Sequence, residues 1–275
     1  MDNLKPTIGI ERHEIKILGI PIVSWDFGGQ ERFRKEYFRN LKIFEKTDAV
    51  FFVIDALKAT RYEEALDYFT KILQMFEKLE LKPKIVLLIH KVDPNLINDP
   101  ETLEMVEEIK EIFLSKYGDY EISVFITSIF DRKSIIGAFS KNIQELISEL
   151  KPFQKILESL GLLLNLDASI VFDENLMILS EYYKDKEIED VCLNTVYNSV
   201  YYIIHTNPKL AEDFSANFEL VLNVKNQKKI FSFLEVKISG WNLYLLTMGD
   251  EKVDHDAVLS RFDAMSHLFK QKEDI

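Results

Sequence analysis

A chain of 275 residues and 32.2 kDa can bury two separate cores, so two ordinary domains are expected. Its 47% hydrophobic and 29% charged residues are those of a soluble globular protein and exclude a disordered one. The net charge of −12 falls on both halves, with 21 Lys and Arg against 26 Asp and Glu in residues 1–150 and 13 against 20 in residues 151–275, so nucleic acid is excluded as a general partner.

The first 150 residues alternate strand and helix patterns. Ile8–Leu18 and Ile20–Asp26 read as two strands of a hairpin joined at Gly19. Asp48–Ala56 is a near-continuous apolar run, as a strand buried on both faces requires. Thr60 and Glu63 form a capping box that predicts a helix to about Leu79. Lys84–His90 is a second apolar strand, and Asp99-Pro100-Glu101 opens another helix with Asp as cap and Pro at its first position. Glu121–Thr127 is a third strand, and Ser134–Leu150 a closing helix. Strands alternating with helices of this length predict a parallel, doubly wound α/β sheet whose ligand site lies at the C-terminal strand ends.

After Pro152 the pattern changes. A helix over Phe153–Leu164 precedes a hairpin, Ser169–Phe172 and Leu176–Tyr182, turning at Asp173-Glu174-Asn175. An amphipathic helix follows, with Ile188, Val191, Cys192, Thr195, Ser199, Tyr202 and Ile203 on one face. Strands at Phe218–Val224, Ile230–Ile238 and Trp241–Met248 form a meander, and Asp256–Lys270 closes the chain as a helix. This half reads as an α+β layer. Cys192 is the one cysteine, cannot close an intramolecular disulfide, and fits a buried position in a reducing compartment. Neither end carries a signal peptide, myristoylation site or prenylatable cysteine, and no apolar run nears the ~18–20 residues of a membrane span. The chain is therefore expected in the cytosol with no membrane anchor of its own, recruited to a membrane only by partners.

Four strand-end motifs carry chemistry. In Trp25-Asp26-Phe27-Gly28-Gly29-Gln30, a carboxylate can hold a Mg²⁺-bound water, a Gly amide can approach a terminal phosphate, and Gln30 can orient an attacking water. The plain alternative is a tight turn with a capping aspartate. In His90-Lys91-Val92-Asp93 a lysine stem can cover a base, and Asp93 can accept both hydrogen bonds offered by guanine N1–H and N2–H₂. The alternative is a strand end turning polar at the surface. Thr127-Ser128-Ile129-Phe130-Asp131 could offer backbone amides to a base carbonyl, with helix capping as the plain role of Asp131. Pro6-Thr7-Ile8-Gly9 places a hydroxyl that could ligate Mg²⁺. Arg32, Arg34, Lys35 and Arg39 are expected on a solvated helix face, and the histidines show no zinc-ligand spacing.

In this order the motifs resemble the Ras-like small GTPases. Pro-Thr-Ile-Gly followed by Trp-Asp-Phe-Gly-Gly-Gln is similar to the switch segments of the Arf-like and Rag/Gtr branches. His90 in place of the usual Asn, with Thr-Ser-Ile-Phe-Asp downstream, looks like Rag/Gtr proteins, whose chains continue into a roadblock-like domain. The resemblance implies a Ras-like domain over 1–150 and a roadblock/profilin-like dimerisation domain over 151–275. By matching position, Thr7 and Asp26 resemble the Mg²⁺ group, Gly29 the γ-phosphate contact and Gln30 the catalytic water-orienting residue. Lys91, Asp93, Ser128 and Ile129 resemble the guanine-binding residues. It further implies GTP/GDP and Mg²⁺ as cofactors, and homo- or heterodimerisation or a roadblock-type scaffold as partner. Tyr182, Tyr183, Tyr197, Tyr201 and Tyr202 crowd this half, as core or as interface.

One departure is marked. None of the nine Gly is followed by Lys, so Gly-x-x-x-x-Gly-Lys-Ser/Thr does not occur in this sequence. Met1 lies six residues before Thr7, whereas family chains carry a first strand, P-loop and helix of roughly 30 residues there. The expected sheet therefore lacks that strand: it is incomplete, or closes by pairing Ile20–Asp26 with Asp48–Ala56, or is completed by another chain. A fragment of a GTPase switch is expected, with no appreciable hydrolysis by the sequence as it stands. The alternative is a hydrolysis-dead interaction protein acting by roadblock-type heterodimerisation.

Overall fold

The computed structural model describes residues 7–17, 20–115, 117, 120–173, 175–200, 217–224, 226–238 and 241–260. Gly19, Glu174, Tyr201, Tyr202, Ile203 and residues 261–270 of the expected closing helix lie outside the described residues. The chain forms two compact units, Met1–Ile126 and Thr127–Ile275. No helix of the described residues is long and apolar enough to cross a membrane.

The first unit opens with an antiparallel hairpin, β1 (Ile10–Ile17) and β2 (Ile20–Phe27), paired from Ile10 with Phe27 to Ile17 with Ile20. It is a two-stranded sheet by itself. A three-stranded sheet in the order β3 (Ala49–Asp55), β4 (Lys84–His90), β5 (Ile122–Thr127) forms the body of the unit. β2 and β3 thus lie in different sheets and do not close on each other. β3 and β4 are parallel, with Asp55 opposite His90 at the last rung. Ile85, Val86, Leu87 and Ile89 are fully buried, as a run without polar alternation demands.

Two helices cover this sheet. α2 (Tyr62–Lys78) buries Phe69, Ile72, Leu73 and Phe76, spaced to make one apolar stripe. The expected Thr60–Glu63 capping box does not form. A 3₁₀ turn over Ala59–Arg61 comes first, and Tyr62 starts the helix because its buried hydroxyl donates to the Ala56 carbonyl. α3 (Pro100–Leu114) starts as expected: Asp99 Oδ2 accepts the Thr102 amide at 2.9 Å and Pro100 enters the first turn. Val106, Ile109 and Phe113 complete the core. A short helix, α1 (Glu31–Tyr37), follows the hairpin, and Phe27 stacks on Phe44, which meets Phe76 of α2 edge-on. Those aromatic contacts tie the end of β2 to the core.

The second unit begins with α4 (Arg132–Leu146), capped by Asp131 Oδ1 on the Ser134 amide. The helix expected over Ser134–Leu150 starts earlier and stops at Leu146, because Ile147 turns extended (ψ 99°) before a 3₁₀ turn at Ser148–Leu150. α5 (Lys151–Leu163) takes Pro152 in its first turn. Strands β6 (Ala168–Phe172), β7 (Ile178–Tyr183), β8 (Asn217–Val224), β9 (Gln227–Ile238) and β10 (Trp241–Gly249) form one sheet in the order β7-β6-β10-β9-β8, antiparallel throughout. The expected meander is present, and it returns its last strand beside β6.

Helices cover both faces of this sheet. Ala168, Ile170 and Phe172 face α6 (Lys186–Asn194) through Cys192 and the following Val196 and Tyr197. Ser169 points the other way and donates to the Leu157 carbonyl of α5. Cys192 is fully buried, and desolvation pushes its thiol up to about 12. The helix expected to run to Ile203 is regular only to Asn194, then widens into a π turn at Thr195–Val200. Tyr197 joins the core. The units divide ahead of residue 150 because α4 hooks onto β7: Ser140 Oγ accepts the Ile178 amide at 2.9 Å and Gln144 Nε2 donates to the Ile178 carbonyl at 3.0 Å.

Candidate nucleotide site

The first cluster forms at the tip of β2. Thr7 Oγ1 donates to Asp26 Oδ2 at 2.6 Å, so the two expected Mg²⁺-group residues meet. The Gly28 amide donates to the Gly9 carbonyl at 2.9 Å, which binds the Thr7 segment to the end of the strand. Gly28 is packed: a Cβ there would stand 2.5 Å from the Thr7 carbonyl oxygen. Gly29 is open, with nothing within 4 Å of an added Cβ. Gln30 holds the cap position of α1 without using its side chain to cap, which leaves its amide for other work.

Sequence reasoning missed Tyr37. Its buried hydroxyl lies 2.7 Å from the Gly9 carbonyl and 3.0 Å from that of Gly28, so the end of α1 grips both segments of the cluster. Burial is the main cause that raises its pKa. Arg34 also departs from the expected solvated face. Its guanidinium pairs with Glu64 of α2 and lies 5.1 Å from the Tyr68 ring centre, with only 16% of the side chain exposed. The reason is reach: Arg34 sits one turn after Gln30 on the side of α1 that faces α2.

The second cluster lies where β3 and β4 end together. Lys91 adopts a left-handed backbone (φ 73°), which is costly for a residue with a Cβ. Its ammonium meets Asp55 Oδ2 at 2.9 Å. Asp55 Oδ1 accepts the Leu57 amide at 3.1 Å, and Lys58 lies 3.7 Å from Oδ2. Burial pushes the Asp55 carboxyl up, but the Lys91 and Leu57 hydrogen bonds and the two lysine charges outweigh it and lower its pKa. His90, before Lys91, has its pKa lowered by burial and then by the Lys91 charge. Asp93 follows two residues on, half-buried, with its carbonyl accepting the Leu96 amide at 2.7 Å.

The third motif lies in the second unit. Ser128 is buried, its amide donates to Ser134 Oγ at 3.1 Å, and its hydroxyl accepts the Phe130 amide at 3.0 Å. The amide expected to reach a base is thus committed inside its own turn. Ile129 and Phe130 are exposed at 40% and 60%, respectively, beside it. Asp131 serves as the helix cap that the sequence allowed. Asp55 could have been found in advance: it is a charged residue closing an apolar strand in register with His90. Tyr37 gave no such signal, because an aromatic in a short helix reads as core.

Comparison with known proteins follows this geometry. A family profile described as "Gtr1/RagA G protein conserved region" matches residues 1–233. Ras-related GTP-binding protein B of Rattus norvegicus is 25% identical over 276 residues, which cover 96% of this chain and 69% of that protein. GTP-binding protein GTR1 of Saccharomyces cerevisiae is 31% identical over 173 residues, 58% of this chain and 55% of its own. Ras-related GTP-binding protein C of Homo sapiens is 33% identical over 138 residues, 48% of this chain and 33% of its own. With more than two thirds of its length inside the profile, the chain belongs to the Gtr1/RagA G protein family.

Proposed function

We propose that this protein is a Rag/Gtr-like guanine-nucleotide switch whose complete form hydrolyses GTP and signals by changing its hold on partners. The observation that carries the reading is the 2.6 Å contact of Thr7 Oγ1 with Asp26 Oδ2, beside an open Gly29 and a Gln30 whose side chain does not cap α1. A hydroxyl and a carboxylate are the hard oxygen donors that Mg²⁺ takes, so these residues fit that ion and its water shell. Bound Mg²⁺ would neutralise phosphate charge. Thr7 and Asp26 would hold it, Gly29 would offer its amide to the terminal phosphate, and Gln30 would orient the attacking water. Lys91 covers the base and Asp93 accepts from its N1–H and N2–H₂.

The reading includes a G domain over 1–150 and a roadblock-like domain over 151–275 that pairs with a second such domain or a roadblock scaffold. Its place is the cytoplasm, with membranes reached through partners. The test is calorimetric titration of the protein expressed from its complete gene, with Mg²⁺ present. GDP is expected to bind at least ~100-fold more tightly than ADP, since a site built to hydrogen-bond one base rejects another. Equal affinity for both nucleotides would end the proposal.

A hydrolysis-dead interaction protein is the second reading. Leu162 and Leu163 of α5 are exposed at 79% and 59%, neighbouring apolar groups suited to a partner domain. It requires dimerisation without nucleotide and GTP turnover no faster than in buffer; turnover that disappears on Gln30→Leu rules it out.

A further inference from the structure

We propose that Asp55 is the positioning residue for Lys91, anchoring its ammonium at the shared end of β3 and β4 so that the lysine stem lies as a flat cover for a purine. The proposal rests on the guanine-nucleotide reading above. It assigns Asp55, which lies outside the four strand-end motifs, a part in that site.

Three features of the geometry converge. The first is register: Asp55 and His90 are the last paired residues of the two parallel strands, and the Ala56 amide donates to the His90 carbonyl at 2.9 Å. The anchor therefore stands on the sheet itself, not on a loop. The second is the carboxylate's fixed orientation. The Leu57 amide holds Oδ1 at 3.1 Å, which turns Oδ2 toward Lys91 at 2.9 Å. The third is the left-handed backbone of Lys91. With that backbone the ammonium meets the Asp55 carboxylate at the end of β3 while the side chain stays about half exposed.

The alternative is a pair that merely ties two strand ends. Lys91 is about half exposed, and exposed pairs contribute little to stability. A simple tie would matter equally to every ligand. An anchor for a base cover matters only where a base is bound. Asp55 also keeps the ammonium from swinging toward phosphate oxygens, which would uncover the base face. Lys58, 3.7 Å from the same oxygen, is too far to replace Lys91 in a direct hydrogen bond.

The experiment is a double-mutant cycle on the protein from its complete gene. GDP and inorganic pyrophosphate affinities are measured for wild type, Asp55→Ala, Lys91→Ala and the double variant. Loss of either side chain is expected to weaken GDP about tenfold, as for a charged hydrogen bond, with the double variant no worse than either single one. Pyrophosphate affinity should stay unchanged. Asp55→Asn, whose single amide oxygen can serve only one of Leu57 and Lys91, should show the same GDP loss and serves in place of Asp55→Ala if that variant does not fold. Retained GDP affinity in both Asp55 variants alongside a loss in Lys91→Ala overturns the proposal alone, as do additive losses. A wild-type protein that binds no GDP overturns the guanine reading and this proposal with it.

Discussion

Gly28 and Gly29 are neighbours with opposite surroundings, and that contrast separates packing from ligand binding at the residue scale. A methyl group on Gly28 would press on the Thr7 carbonyl, whereas one on Gly29 would meet nothing. Gly28→Ala should therefore cost about 1–3 kcal/mol in thermal unfolding, through displacement of the Thr7 segment. Gly29→Ala should leave the unfolding temperature unchanged. If Gly29 faces a terminal phosphate, the same variant weakens GTP while sparing GDP, which lacks that group. Equal weakening of both nucleotides would place Gly29 away from it. The sequence showed two glycines at a strand end, and it could not show which was packed. That depends on Thr7, nineteen residues from Asp26 along the chain, folding back onto it.

Helix glycines make the same point at the scale of an element. Gly161 of α5 faces the Tyr182 ring so closely that an added Cβ would overlap it. Gly137 of α4 has open space at the same position. Alanine favours helix by about 1 kcal/mol over glycine, so Gly137→Ala should stabilise the protein by up to that amount. Gly161→Ala should instead destabilise it by about 1–2 kcal/mol net, as overpacking outweighs propensity. Denaturant midpoints of the two variants check both signs. Strands β3 and β4 were legible because a strand buried on both faces shows a near-continuous apolar run. The allegiance of α4 was not legible. Its sequence shows an apolar face, but only Ser140 and Gln144 meeting Ile178 reveal which sheet that face covers. The Thr60–Glu63 box failed for a related reason, since a buried Tyr62 hydroxyl fixed the helix start more firmly than a surface cap would.

Across the whole molecule, the chain forms two compact units, Met1–Ile126 and Thr127–Ile275, each with its own buried apolar cluster. Each unit has its own candidate work: nucleotide chemistry at the ends of β2, β3 and β4, and partner contact on α5. The strand-end position of Lys91 and Asp93 was legible because the apolar run of β4 stops at His90. Tyr37 escaped notice because its hydroxyl works on the carbonyls of Gly9 and Gly28, which an aromatic in a short helix does not announce.

Exchanging the base offered to Asp93 probes the proposed guanine site. Wild type and Asp93→Asn, each from the complete gene, are titrated with GDP and with xanthosine diphosphate, which carries a C2 carbonyl where guanine has an amino group. A carboxylate accepts from the amino group, and an asparagine amide can donate to the carbonyl. Wild type should prefer GDP and the variant the xanthosine nucleotide, each by about tenfold or more. A variant that keeps the wild-type order of preference would contradict the assignment of this strand end as a guanine site.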